Sequence, residues 1–205
     1  MIDFYTFKTF NGQRVSIMLE ETGFEYTVHK VHLRKGEQKL LEFLKINPSG
    51  RIPAIIDRDS AFSEPLVLNQ SAAILLYLAE KSGCLLPSEP VAKARTLEWL
   101  MFNATDIGPN AFCAFYFTNR ITPTLPDAAD VLVARNLELY QYFDRQLADN
   151  EYLAGDGYTI ADIATFPSVV AKPDEIFKRY KNIQRWAEML LTRPAVQRGL
   201  LVPED

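Results

Sequence analysis

Ile52-Pro53-Ala54-Ile55-Ile56 is a short apolar run that ends in Asp57, and its proline restricts where such a run can sit. The β-branched composition reads as a buried strand. Proline carries no N–H, so it belongs at a strand's first residue, at an edge or at a bulge, and X-Pro is the one linkage where a cis peptide costs little. A cis Ile52-Pro53 bond leaves the Ile52 N–H and C=O unpaired by neighbouring strands. An extended peptide can then pair with them as an added strand does. Further on, Asn69-Gln70-Ser71 precede the apolar helical run Ala72-Ala73-Ile74-Leu75-Leu76-Tyr77-Leu78-Ala79-Glu80, with polar capping residues in front. Free N–H groups at that helix start suit a carboxylate. A peptide hook beside an anion hook makes a site for a small acidic peptide. The competing reading is a plain edge strand, a hairpin and a capped helix.

At 205 residues with 48% hydrophobic content, the chain can bury a sizeable core and is long enough for one large or two small domains. The net charge is -4, and residues 1–82 carry ten Lys/Arg and ten Asp/Glu, so the excess acid falls in the C-terminal part. This is no footprint for nucleic acid or an anionic membrane. No apolar run reaches the ~18 to 20 residues that span a bilayer. The N-terminus enters an alternating strand rather than a signal peptide. A soluble, cytoplasmic protein with no nucleic-acid and no membrane partner is expected. Cys84 and Cys113 are far apart, with no C-x-x-C and no histidine cluster, so no metal and no dithiol site is expected, and both read as packing residues.

Taken in order, Ile2 to Phe7 reads as a first strand and Lys8 to Gly12 as a loop. Val15, Met18, Leu19 and Thr22 then follow helical spacing, stopped by Gly23. Glu25 to Leu33 is a second strand that completes a parallel βαβ unit. A short helical patch runs from Gly36 to Leu44 and closes at Asn47-Pro48. The Pro53 strand, a turn at Arg58-Asp59-Ser60, a strand at Leu66 to Leu68 and the helix after Ser71 complete the order of a thioredoxin-like domain. Gly83 to Val91, with Pro87 and Pro90, is a linker by composition. Beyond it the periodicity is helical: Ala92 to about Asn119, broken or kinked at Gly108-Pro109, then about Asp127 to Ala148. Thr159-Ile160-Ala161-Asp162 is a capping box with Tyr158 and Ile163 as a hydrophobic staple, expected to nucleate a buried helix and to carry no chemistry. Two further helical stretches end near Leu191 and Leu201.

Three motifs in register resemble the cytosolic glutathione S-transferase superfamily over essentially the whole chain: Asn47-Pro48-Ser49-Gly50-Arg51-Ile52-Pro53-Ala54, Gln70-Ser71-Ala72-Ala73-Ile74 and Thr159-Ile160-Ala161-Asp162-Ile163-Ala164. The opening Thr9-Phe10-Asn11-Gly12-Gln13-Arg14-Val15, Gln38, and a first loop without catalytic Tyr or Cys make the chain most similar to the nu class and its relatives, which include fungal prion-type regulators. The resemblance implies an α/β thioredoxin-like N-terminal domain (βαβ-α-ββα, residues 1–82), a linker (83–91) and an all-α C-terminal domain (92–205). It also implies a homodimer, and glutathione or glutathione disulfide as ligand. Carried over by position, Ile52, ahead of the cis Pro53, pairs its backbone with the glutathione cysteine. Ser71 holds the γ-glutamyl carboxylate, and Gln38 and Arg51 contact the glycyl end. Thr9 and Asn11 face the sulfur; on residue type alone a loop residue and a helix cap is the better reading of the two. Gln70 stands where nu-class relatives usually have Glu, and can accept a hydrogen bond from the γ-glutamyl amine without a full charge. The arginine that relatives supply from the next subunit has only an offset match, Arg135.

The implied activity is glutathione-dependent: reduction of a disulfide, or conjugation of glutathione to an electrophile. An unperturbed thiol has a pKa of about 8.5, and only the thiolate attacks. Lowering that pKa by ~2 units takes roughly 2.7 kcal/mol of preferential thiolate stabilisation, which donors at Thr9 and Asn11 and the first helix's N-terminus can supply together. The alternative is a non-enzymatic binding or regulatory protein of the same fold. A fungal-type regulator is expected to carry a long Asn/Gln-rich tail, whereas Ile2 already belongs to the first strand. Trp99, Phe112, Phe115 and Phe117 are expected to fill the helical core rather than line an apolar site.

Overall fold

A computed structural model describes residues 1–60 and 64–204. Strand β1 (Ile2–Thr6), helix α1 (Phe10–Thr22) and strand β2 (Tyr26–Lys30) are followed by two 3-10 turns (Leu33–Lys35, Glu37–Lys39) and α2 (Leu41–Ile46). Strands β3 (Ala54–Asp57) and β4 (Leu66–Asn69) lead into α3 (Ser71–Ser82). The sheet order is β2-β1-β3-β4, with β2 parallel to β1 and the other pairs antiparallel. This is the mixed sheet of a thioredoxin-like domain. Helical structure follows: α4 (Pro90–Phe102), a π turn (Asn103–Ile107), α5 (Gly108–Asn119), α6 (Pro126–Asp149), α7 (Ile160–Val170), α8 (Pro173–Arg179), α9 (Lys181–Leu191) and α10 (Pro194–Leu201). No described helix is long and apolar enough to cross a membrane.

Alternation along the strands divides the sheet between two cores, since successive side chains point to opposite faces. Ile2, Phe4 and Ile55 belong to a large core shared with Val15, Leu19, Ile74 and Leu78 and with Leu100, Phe166 and Trp186 of the C-terminal helices. Tyr5 and Ala54 turn the other way, toward Val31 and Phe43. The main core therefore runs from the sheet into the helical part without interruption.

Several elements differ from the sequence reading. Asn11 and Gly12 lie in the first turn of α1 rather than in a loop. An added Cβ on Gly12 would sit 2.5 Å from both Phe7 O and Thr6 Oγ1, so the Asn-Gly pair reflects a close approach of helix to strand, not a hairpin. Pro53 stands just ahead of β3 rather than inside it. Gly108-Pro109 does not break the chain of helices: proline falls in the first turn of α5, where its missing N–H is tolerated, and the π turn absorbs the irregularity. The residues before Ser71 provide no side-chain cap; Gln70 is the N-cap with no side-chain bond to the helix. Helix α8 leaves no clear periodic trace in its seven residues. The capping box at α7 forms as its sequence predicts.

Candidate functional site

The β3-β4 register fixes where the predicted residues meet. Ala54 pairs with Asn69 on one side and with Tyr5 on the other, so Phe7–Asn11, Ile52-Pro53 and Gln70-Ser71 all leave the sheet at one end. Thr9 caps α1: its backbone is extended and its Oγ1 accepts from the Gly12 N–H at 3.2 Å. Accepting that bond leaves the hydroxyl proton for another partner. Asn11 is exposed in the first turn. Its Oδ1 accepts from Arg14 Nη1 at 2.5 Å and lies 3.5 Å from Ser71 Oγ, so the N-termini of α1 and α3 are in side-chain contact.

Gln70 enters α3 with φ 71° and ψ 116°, a left-handed φ that is uncommon for a residue with a side chain and that concentrates at functional sites. Ser71 follows as the first helical residue. The opening N–H groups of a helix have no partner within it, and here they lie beside a half-buried hydroxyl. An acceptor anion is what that arrangement binds.

The third component is the turn before β3. The Ile52-Pro53 peptide is cis, and no backbone hydrogen bond to Ile52 occurs among the described residues. Buried Asn47 fastens the turn: its Nδ2 donates to Arg51 O at 2.5 Å, and its Oδ1 accepts from the Ser49 N–H and Oγ at 3.1 and 2.8 Å. Gly50 has φ +63°, and a Cβ there would come within 2.9 Å of Gln38 O and 2.8 Å of Lys39 Nζ, so the 3-10 turn holding Gln38 packs directly on this segment. Gln38 Oε1 is buried without a partner among the described residues. The Arg51 guanidinium lies over the Phe112 ring, 5.0 Å from its centroid, and so ties the turn to α5.

The residues thus fall into two groups, Thr9, Asn11, Gln70 and Ser71 at the two helix starts and Gln38, Arg51, Ile52 and Pro53 around the cis turn. Arg14 was absent from the sequence expectation. It is 7% exposed, and burial pulls its pKa down to about 10, so it remains charged near neutrality. An arginine at helical spacing in a mixed-polarity helix reads as a solvated face, which hides its burial. Phe112 and Phe115, expected in the core, are each 48% exposed. Trp99 does pack against Phe143 and Phe102. Among the described residues no group of His, Cys, Asp and Glu could hold a metal.

The chain matches the family model for the glutathione S-transferase N-terminal domain over residues 11–81 and that for the C-terminal domain over residues 110–194. It is 38% identical to the disulfide-bond oxidoreductase YfcG of Escherichia coli, over 98% of this chain and 95% of that one. A glutathione transferase from Pseudomonas putida, solved with one glutathione disulfide per subunit, is 38% identical with a TM-score of 0.90, covering 98% of this chain and 91% of that one. Another from Burkholderia graminis, solved with two glutathione molecules per subunit, is 36% identical with a TM-score of 0.91, over 99% of this chain and 88% of that one.

Proposed function

The chain belongs to the glutathione S-transferase superfamily, and on that footing we propose that it is a glutathione-dependent enzyme whose main activity is the reduction of disulfides, with conjugation to electrophiles open to the same thiolate. The observation that carries this reading is the meeting of Thr9, Asn11 and Ser71 where α1 and α3 begin, at the sheet end that also holds the cis Ile52-Pro53 turn. In this assignment the free Ile52 backbone pairs with the cysteinyl unit of glutathione. Ser71 and the α3 N-terminus take the γ-glutamyl carboxylate, and Gln70 accepts from the amine. Gln38 and Arg51 face the glycyl end, where a guanidinium suits a carboxylate, and Pro53 shapes the turn. Thr9 and Asn11 donate to the sulfur.

The name of the Escherichia coli relative supports disulfide reduction. The thiolate of bound glutathione attacks one sulfur of the substrate disulfide, forming a mixed disulfide and releasing one thiolate. A second glutathione thiolate then attacks the mixed disulfide, giving glutathione disulfide and the second product thiolate. The Burkholderia graminis and Pseudomonas putida relatives hold two glutathione molecules or one glutathione disulfide per subunit, which supports a second glutathione at the site. Calorimetry should detect binding of glutathione and glutathione disulfide at millimolar concentration or below. A small dialkyl disulfide should be reduced at the expense of glutathione. Absence of both heat and turnover would remove the proposal.

A homodimer goes with this reading. The face of α4 formed by Val91, Ala94, Arg95, Glu98 and Met101 is left uncovered, with Val91 66% and Met101 45% exposed, and a second copy of the chain would shield it. Light scattering at micromolar concentration should give twice the chain mass; a monomer would refute the dimer without touching the glutathione assignment.

A further inference from the structure

The first two turns of α1 hold a buried cation. Arg14 is buried and forms no ion pair among the described residues. Its Nε is buried without a hydrogen-bond partner among the described residues. One strong bond runs from Nη1 to Asn11 Oδ1 at 2.5 Å, and a long contact of 3.5 Å reaches Ser71 Oγ. The titratable neighbour acting on it is Tyr140 of α6, whose own pKa burial pushes upward, so it stays a neutral phenol. A buried charge without a partner is costly. An anion arriving at Asn11 would relieve that cost.

The chemistry of the pair also fixes the orientation of Asn11. A guanidinium has donors and no acceptor, so the atom of the amide facing Arg14 must be its oxygen. The NH2 group is therefore turned to the exposed side of the turn. Which way an amide points is ordinarily an assignment; here the cation beneath it decides.

We infer that Arg14 is the positioning residue of the site: by holding the Asn11 amide oxygen it makes Asn11 an obligate donor toward the glutathione sulfur. This rests on the glutathione reading above. Of this pair, Asn11 touches the sulfur; Arg14 acts through it.

Ultraviolet titration of the bound thiolate tests the inference, with the affinity for S-methylglutathione, which has no ionisable thiol, as the measure of an intact fold and peptide hook. Arg14→Met should raise the thiol midpoint by about one pH unit while changing S-methylglutathione affinity less than about threefold. Arg14→Lys, which keeps a buried cation, should fall between wild type and Arg14→Met. Asn11→Asp preserves a partner for Arg14 but presents no N–H, so it should raise the midpoint at least as far as Arg14→Met. Adding Arg14→Met to Asn11→Ala should produce little further change, because the route runs through the amide. An unchanged midpoint in Arg14→Met or in Asn11→Asp, with S-methylglutathione still bound, overturns the inference, and so do shifts that add in the double variant. If Arg14→Met does not fold, Arg14→Lys and Asn11→Asp decide. Wild-type protein that binds neither ligand would instead overturn the functional assignment itself.

Discussion

At the scale of single residues, the sharpest expectation concerns Ser71. Its Oγ stands at the first turn of α3, 3.5 Å from both Arg14 Nη1 and Asn11 Oδ1, and the proposed γ-glutamyl carboxylate accepts from it. Losing a hydrogen bond to a charged group costs ~1.5 to 3 kcal/mol, so Ser71→Ala should weaken glutathione binding about 10- to 150-fold in calorimetry. An unchanged affinity would move the carboxylate elsewhere. Ser71, Ile52 and Pro53 could be read from the sequence because their chemistry leaves a local trace: a proline inside a β-branched run, a small polar residue at the head of an apolar one. Arg14 could not, since the same residue type at the same spacing occurs on any solvated helix. Phe112 and Phe115 misled for a related reason. Aromatic residues at helical spacing are usually core, and only the packing of α5 beside the cis turn brings Phe112 under the Arg51 guanidinium.

The elements hold the site in place chiefly through α1, which is enclosed by α3, α7 and α10. Its contact with α10 is unusually close: Ser16 Oγ donates to Gly199 O at 2.6 Å, and a Cβ on Gly199 would lie 2.6 Å from Ile17 Cα. Backbone cannot give way as a flexible side chain can, so Gly199→Ala must move one helix off the other. Overpacking of this kind costs ~1 to 3 kcal/mol, which for a chain of this size lowers the melting temperature by roughly 2 to 12 °C. Thermal unfolding followed by circular dichroism checks it, and an unchanged melting temperature would show that the helix pair is looser than its contacts indicate. Element type was legible where a period and a cap coincide, as at Thr159, whose Oγ1 accepts from the Ala161 N–H while Asp162 accepts from the Thr159 N–H. It was not legible where a few residues settle into 3-10 or π geometry, because those states differ from an α-turn by one hydrogen-bond step that no side-chain pattern records. That is why Gly36 to Leu44 reads as one helical patch, and why the irregularity at Asn103–Ile107 is read as a kink or break at Gly108-Pro109.

The whole molecule determines which sulfur reacts. Disulfide reduction by a thioredoxin-like domain ordinarily uses a thiol of its own, yet the segment Lys8 to Gly12, which meets the proposed sulfur site, contains no cysteine. Cys84 lies exposed just past α3, and Cys113 is half-buried on α5; both are free. Sequence separation alone would set both far from the chemistry. The fold tempers this for Cys113, because its neighbour Phe112 carries the Arg51 guanidinium, so α5 borders the glycyl side of the proposed site. In the proposed mechanism glutathione supplies both reducing equivalents, and the protein's cysteines are dispensable for the exchange. A variant carrying Cys84→Ser and Cys113→Ser should keep at least about half of the glutathione-dependent disulfide reductase activity, since neither substitution touches an activated thiolate. Its glutathione affinity should be unchanged. Single substitutions separate the two positions: a loss confined to Cys113→Ser would point to a mixed disulfide with α5, and mass spectrometry of the trapped intermediate would then find glutathione attached to the protein. Turnover abolished in a double variant that still folds and binds glutathione would require a protein thiol in the reaction and would overturn the mechanism.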